Sequence, residues 1–66
     1  MDEAMGPPRK LLLRIHEAAR ALGVGRSTIY QLVGSGDLNP VYIGRSVRIP
    51  LQELLDYVEK LKAADP

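Results

Sequence analysis

The chain has 66 residues, a formal net charge of +1 at pH 7, one histidine and no cysteine. Its length allows one small domain, and its composition excludes disulfide bonds and leaves too few ligands for a structural zinc site. No apolar run approaches the roughly 20 residues of a membrane span and no signal-peptide pattern is present, so we expect a cytoplasmic protein without a membrane partner.

The arginines are concentrated in one part of the chain. Residues 14–48 carry five arginines and two acidic residues, whereas residues 49–66 carry two lysines and four acidic residues. A guanidinium group matches phosphate oxygens and guanine edges better than an ammonium group does. The basic part is therefore a candidate for nucleic-acid contact; the alternative is that each arginine only solvates the surface.

The chain begins with a leader and a short helix. Residues 1–10 contain glycine and proline without periodicity, which predicts a disordered leader. Residues 11–15 are an apolar run that we expect to pack on the core of a domain spanning residues 11–63. The first helix is predicted over residues 16–22, and Gly23 follows where a left-handed residue commonly ends a helix.

A second helix is predicted over residues 26–35. Its apolar residues share one face at helical spacing and must pack inward, namely Ile29, Leu32 and Val33. The residues left facing solvent are Ser27, Tyr30 and Gln31, with Arg26 at the start. Two short helices across a tight bend present such a polar helix to a groove of double-stranded DNA. The alternative is an amphipathic surface helix without that role.

Residues 41–49 alternate between apolar and polar, the period of a half-buried two-stranded hairpin. The residues predicted to face the core are Val41, Ile43, Val47 and Ile49. Arg45 is expected at the tip, and Arg48 on the exposed face beside Tyr42. Two helices followed by a hairpin with a basic tip form a winged helix-turn-helix.

The last helix is predicted over residues 51–63, with Pro50 at its first turn. Its apolar stripe is predicted to be a core face and consists of Leu51, Leu54, Leu55, Val58 and Leu61. Once it is packed no obvious dimerisation stripe remains, and the sequence leaves the oligomeric state open. Residues 64–66 are a frayed tail. The predicted fold class is mostly α, with three helices and a two-stranded antiparallel wing.

Several short motifs between Leu12 and Leu61 resemble the excisionase-type, MerR-like winged helix-turn-helix family. They are Glu17-Ala18-Ala19, Leu22-Gly23-Val24, Arg26-Ser27-Thr28-Ile29-Tyr30, Ser35-Gly36-Asp37-Leu38, Ile43-Gly44-Arg45 and Arg48-Ile49-Pro50. The resemblance implies that the second helix enters the major groove and that the wing contacts the neighbouring backbone or minor groove. The residues implied to contact DNA are Arg26, Ser27, Thr28, Tyr30 and Gln31 from the helix, and Arg45 and Arg48 from the wing. Arg14, from the same basic segment, completes the candidate set.

Three positions depart from the family pattern. Gly25 stands at the expected N-cap where many relatives have serine, which removes a hydroxyl cap at little cost in stability. Val47 replaces a common aromatic residue, so the core of the wing is smaller. Tyr42 occupies a position that is often basic, so fewer wing contacts to phosphate are expected.

The resemblance leaves more than one function open. A phage or mobile-element excisionase, or recombination directionality factor, would bind repeats in attachment sites, bend the DNA and promote excision by an integrase in a bacterial host cell. Its partners would be double-stranded DNA, neighbouring copies of itself and the integrase. A small MerR-like transcription regulator would use the same contacts at a promoter. A protein-interaction module without DNA binding is a third alternative.

We expect neither enzymatic activity nor a cofactor or small-molecule ligand. Tyr30, Tyr42 and Tyr57 lack an accompanying cluster of histidine and arginine that could activate a phosphate. The glycines do not form a nucleotide-binding loop. His16 has no partner ligands and is predicted to be structural or exposed.

Overall fold

The computed structural model describes residues 10–64. The elements, in chain order, are β1 (Leu12–Leu13), α1 (Ile15–Leu22), α2 (Arg26–Ser35), β2 (Val41–Ile43), β3 (Ser46–Pro50) and α3 (Leu51–Ala64). The three predicted helices and the hairpin are therefore confirmed. The predicted leader and tail lie outside the described residues except for Lys10 and Ala64, and both stay predictions.

The start of α1 is fixed by a carboxylate. The Oε1 atom of Glu17 accepts a hydrogen bond from the backbone N–H of Arg14 at 2.8 Å, which satisfies one of the donors that a helix leaves unpaired at its start. This bond, together with the ammonium group of Lys10, lowers the pKa of Glu17 to about 2. The helix thus begins one residue earlier than predicted, at Ile15.

The end of α1 is fixed by Gly23, as predicted. Gly23 has φ 75° and ψ 32°, in the left-handed region that glycine adopts without a Cβ penalty. Its N–H donates to the carbonyl of Arg20 at 3.2 Å, and the N–H of Val24 donates to that of Ala19 at 2.9 Å. These two bonds form a Schellman motif, which turns the chain sharply toward α2.

The core lies between the sheet and the inner faces of the three helices. Ala18 and Ala19 are small enough to let α2 approach α1 closely, and Ile29 of α2 is fully buried there. Burying a branched aliphatic side chain of this size contributes about 1.5–3 kcal/mol. The buried core residues are Leu13, Ile15, Ala18, Ala19, Ile29, Leu38, Ile49 and Leu54.

The sheet has three antiparallel strands, one more than predicted. Their order is β1-β3-β2, with Leu13 paired to Ile49 and Leu12 to Pro50. The N–H of Leu51 extends this ladder by donating to the carbonyl of Leu11 at 2.8 Å. The apolar run before α1 therefore packs on the core as expected, but does so as a strand that covers one edge of β3.

The loop between β2 and β3 decides which side chains face the core. Ile43 pairs with Ser46, so the loop has only two residues. Directly opposite residues share a face, and a two-residue loop sets odd-numbered residues of β2 opposite even-numbered residues of β3. Val41 and Ile43 therefore lie on the solvent side, 38% and 61% exposed, whereas Ile49 is fully buried. The inward orientation predicted for Val41 and Ile43 is wrong, and that predicted for Val47 and Ile49 is confirmed.

Only the first half of α3 contributes side chains to the hydrophobic core. Leu51 and Leu54 contact the core, and Tyr57 is the last residue of the helix that does so. The other three members of the predicted core stripe are exposed: Leu55 by 49%, Val58 by 37% and Leu61 by 51%. The prediction that the whole stripe is buried is wrong. Leu55 lies between Leu54 and Tyr57 in sequence but on the exposed side of the helix, and Val58 and Leu61 follow the last residue that packs on the core.

Candidate nucleic-acid interface

The outward face of α2 is polar and accessible. Ser27, Tyr30 and Gln31 are exposed on the side opposite the buried Ile29, as the helical spacing predicts. Thr28 lies at the margin of this face and is half-buried. Gly34 lies on the same face and has no side chain, so another molecule can approach the backbone of α2 closely there.

The start of α2 carries positive potential. Its N-cap is Gly25, as predicted, and no side chain caps the helix there. The first N–H groups of a helix have no partner within it, and no acidic residue stands in the first turn. Arg26, at the first position of the helix, is exposed and adds a full charge.

Lysines and arginines have different partners. Within residues 10–64 every ion pair joins a lysine to a carboxylate, namely Lys10 to Glu17, Lys60 to Asp37 and Lys62 to Glu59. The ammonium group of Lys60 lies 2.9 Å from Asp37 and lowers the pKa of that carboxyl, with the hydroxyl of Ser35 adding to the effect. The same pair raises the pKa of Lys60. The lysines therefore neutralise carboxylates, whereas none of the arginines in residues 10–64 forms an ion pair within that range.

Arg45 lies at the tip of the wing, as predicted. It is exposed and follows Gly44, whose φ of 61° is positive. A positive φ at the first loop position alone is the pattern of a type II′ turn, whose twist matches that of the flanking strands. Arg45 is the second of the two residues of this loop.

Arg48 is placed differently from the prediction. It lies opposite Val41, whereas Tyr42 lies opposite Val47, so Arg48 and Tyr42 are on opposite faces of the wing. Arg48 is half-buried, and its Nη1 donates to the carbonyl of Val47 at 2.8 Å. Arg48 therefore shares the solvent side of the hairpin with Val41, as predicted, but its predicted place beside Tyr42 is wrong. Part of its guanidinium group is bound to the protein's own backbone.

Arg14 stands apart from the other candidates. It is exposed at the N-cap of α1, whereas the α1–α2 turn follows the opposite end of that helix. Arg14 is also absent from the lining of the cavity between α1 and the start of α2, to which Arg26 contributes.

Two basic residues outside the predicted set lie beside Arg26. An open cavity of about 240 Å³ separates α1 from the start of α2, and its lining consists of His16, Ala19, Arg20, Val24, Gly25 and Arg26. We call it the α1–α2 cavity. The signal in the sequence was the spacing of His16 and Arg20, which are four residues apart and therefore share a face of α1.

The described part of the chain offers neither a metal site nor a membrane-spanning helix. Over residues 10–64, no three His, Asp or Glu side chains are grouped so that they could hold a metal ion. In the same range, no helix is both long enough and apolar enough to cross a membrane.

Comparison with known proteins gives a matching family and several proteins of similar sequence. Residues 12–62 match the model of a family described as a helix-turn-helix domain. A "Probable excisionase" of Saccharopolyspora erythraea is 46% identical over 56 residues, which cover 85% of this chain and 57% of that protein. An uncharacterized protein of Mycobacterium bovis is 38% identical over 52 residues, 79% of this chain and 46% of that protein. A "Putative DNA-binding protein" of Mycobacterium tuberculosis is 38% identical over 48 residues, 73% of this chain and 62% of that protein. The chain thus spans about half the length of these relatives.

Proposed function

We propose that this chain, which belongs to the excisionase-type helix-turn-helix family, binds double-stranded DNA through α2 and the wing. The observation that carries the proposal is the exposed polar face of α2, which begins at an arginine without an ion-pair partner in residues 10–64. A major groove about 12 Å wide admits one helix, and its base edges offer hydrogen-bonding groups to polar side chains.

Within this proposal the outward residues of α2 have separate roles. The amide of Gln31 can pair with the N6 and N7 atoms of an adenine, which makes it the candidate for base readout. Ser27 and Tyr30 lie beside it and donate to bases or phosphates, and Thr28 reaches the duplex from the margin of the face. Gly34 lets the sugar-phosphate backbone come close to the helix.

The wing and Arg14 supply contacts to the backbone. Arg45, exposed at the tip of a two-residue loop, contacts a phosphate or enters the minor groove. Arg48 contributes less, because one of its donors is held by Val47. Arg14 reaches a phosphate only where the duplex follows α1 to its start.

The biological role that we propose is that of an excisionase. The similarity to the probable excisionase of Saccharopolyspora erythraea supports this role. Several copies would bind adjacent repeats in an attachment site and bend the DNA, so that an integrase assembles an excisive complex. Bending 20–30 base pairs costs on the order of 1–6 kcal/mol, which the contacts of several copies can offset.

An electrophoretic binding assay with attachment-site DNA tests this proposal. The protein is expected to shift the duplex in steps as successive repeats fill, and to stimulate excision when the integrase is added. A protein that binds no duplex would contradict DNA binding itself. Binding without any stimulation of excision would contradict only the excisionase role.

A transcription regulator is the second candidate. It is favoured by the similarity to the Mycobacterium tuberculosis protein, whose name refers to DNA binding and not to recombination. Footprinting separates the two roles: protection confined to a promoter favours regulation, and protection of repeats in an attachment site favours excision.

A further inference from the structure

We propose that the outer edge of β2 pairs with the β2 strand of a second copy of this chain, so that two copies join through one continuous sheet. The pairing centres on Tyr42 and places the two wing tips at opposite ends of the joined strands. That such a pair holds two segments of DNA rests on the proposed function, whereas the pairing itself does not.

The edge of β2 is accessible and uncharged. β2 lies at the outside of the sheet, because the strand order is β1-β3-β2. Its three residues are all exposed: Val41 by 38%, Tyr42 by 67% and Ile43 by 61%. Edge strands of natural proteins commonly carry lysine or another charge that prevents pairing with a second chain, and β2 carries none. The strand is therefore suited to accept a partner.

The main-chain groups of Tyr42 point outward from this edge. Ile43 and Ser46 flank a two-residue loop and therefore form a hydrogen-bonded pair. Bonded and non-bonded pairs alternate along an antiparallel ladder, so Tyr42 and Val47 form no hydrogen bond with each other. Accordingly, the carbonyl of Val47 accepts from the side chain of Arg48. In the described part of the chain, the N–H and C=O of Tyr42 have no partner.

The strand is complementary to itself about Tyr42. An antiparallel partner centred there exchanges two hydrogen bonds, from the N–H of each Tyr42 to the C=O of the other. Val41 of each copy then lies opposite Ile43 of the other, and these aliphatic side chains form one apolar strip on the solvent side. The two phenol rings lie side by side on the opposite face. This match in hydrogen bonds and side chains favours a second copy over an unrelated peptide.

The length of β2 limits the strength of the pairing. Pro40, which has no N–H, precedes the strand, and the positive φ of Gly44 ends it, so three residues of each copy pair. They span about 10 Å, whereas a stable dimer usually buries about 1,200–2,000 Å². Free copies are therefore monomers at low concentration, and DNA-bound copies pair because binding raises their local concentration.

The direction of the strands determines what a pair binds. β2 runs directly into the loop that carries Arg45, so antiparallel pairing sets the two loops at opposite ends of the joined strands. One straight duplex cannot meet both tips, and the pair therefore holds two separate segments of DNA. In the proposed excisive complex, such a pair would connect segments that carry different copies.

The first experiment needs no DNA. The chain is short enough for chemical synthesis, and N-methylation of Tyr42 removes the outward donor without breaking a hydrogen bond in the described part of the protein. From micromolar to millimolar concentration, the Tyr42 amide of wild type should become protected from hydrogen exchange as dimers appear in sedimentation. N-methylation should weaken the dimer about 5- to 150-fold, because two hydrogen bonds are lost.

Two lysine variants provide a matched comparison. Ile43→Lys adds a charge to the edge and should weaken the dimer, whereas Leu61→Lys adds the same charge to a similarly exposed site on α3 and should not. Equal weakening by both variants, or none by N-methylation, would overturn the pairing. So would a Tyr42 amide whose exchange in wild type does not depend on concentration.

The second experiment tests whether a pair holds two duplexes. Wild type should retain a labelled free duplex on an immobilised one, and the N-methylated protein should bind each duplex with unchanged Kd but lose this retention. Equal retention by both proteins would overturn the connection of two segments through β2. A wild type that dimerises but binds no duplex would refute the proposed function and leave the pairing intact.

Discussion

Replacing Gln31 with alanine tests whether α2 reads bases. Gln31 is exposed on the outward face of α2, and no described hydrogen bond holds its amide. An amide paired with adenine is worth about 1–3 kcal/mol of discrimination against the wrong base, which is about 5- to 150-fold in relative Kd. The folded state should be unaffected within about 0.5 kcal/mol, because the position is on the surface.

The assay is competition binding on a set of duplexes in which each base pair of the footprint is changed in turn. Gln31→Ala should flatten the preference at one base pair and leave the others unchanged. The matched control is Gln52→Ala, which removes an exposed glutamine of α3 whose Nε2 donates to Asp56 at 2.8 Å. Uniform weakening on every duplex, or the same effect from Gln52→Ala, would refute base readout by Gln31.

Four further substitutions probe the wing, the acid sensitivity of the fold and the register of the sheet. Arg45→Ala should weaken binding to all duplexes alike and lower the salt slope by about 0.9, as measured by fluorescence anisotropy over a salt series. Glu17→Gln should remove part of the acid sensitivity of the fold. The pKa of Glu17 is lowered from 4.5 to about 2 in the folded state. The ionised carboxylate therefore stabilises the fold fully above pH 4.5, and this stabilisation is lost as the pH falls through 2. Urea unfolding across pH 2–6 should therefore show a flatter profile for the variant. Ile49→Ala should destabilise the protein by about 2–5 kcal/mol in urea, whereas Ile43→Ala should cost less than about 1 kcal/mol.

Each of these outcomes can fail in a recognisable way. A loss of affinity confined to one sequence would mean that Arg45 reads bases and does not hold the backbone. Parallel pH profiles for wild type and Glu17→Gln would mean that other carboxylates cause the acid sensitivity. Equal destabilisation by Ile43→Ala and Ile49→Ala would mean that both side chains face the core, in conflict with the pairing of Ile43 with Ser46.

The helices could be predicted because their signals are local. Gly23 marks the end of α1 through its own φ, and the spacing of Ile29, Leu32 and Val33 orients α2 without reference to other elements. The exposed position of Gln31 follows directly from that orientation. A local pattern does not predict how much of a helix packs against the rest of the domain. The end of α3 beyond Tyr57, which is exposed, could therefore not be predicted.

The wing could not be oriented from alternation alone. Val41 and Ile43 alternate with polar residues as regularly as Val47 and Ile49 do. Which of them face inward depends on the parity of the loop: a two-residue loop sets the two pairs on opposite faces, and a three-residue loop would set them on the same face. The sequence Gly44-Arg45 fits the shorter loop because a glycine at the first position suits a type II′ turn.

The positive surface was the least predictable part of the candidate site, because it depends on which cations are already paired. Asp37 and Lys60 are 23 residues apart, and their pairing arises only when α3 folds back beside the end of α2. The formal net charge of +1 therefore combines neutral lysine–carboxylate pairs with arginines that have no such partner in residues 10–64. If DNA binding depends on these arginines, the salt dependence of the affinity must change when an arginine is removed, and not merely when the net charge changes. Lys62→Gln and Arg45→Ala change the net charge equally, so a fall in slope for Arg45→Ala alone isolates the contact from the overall field of the protein.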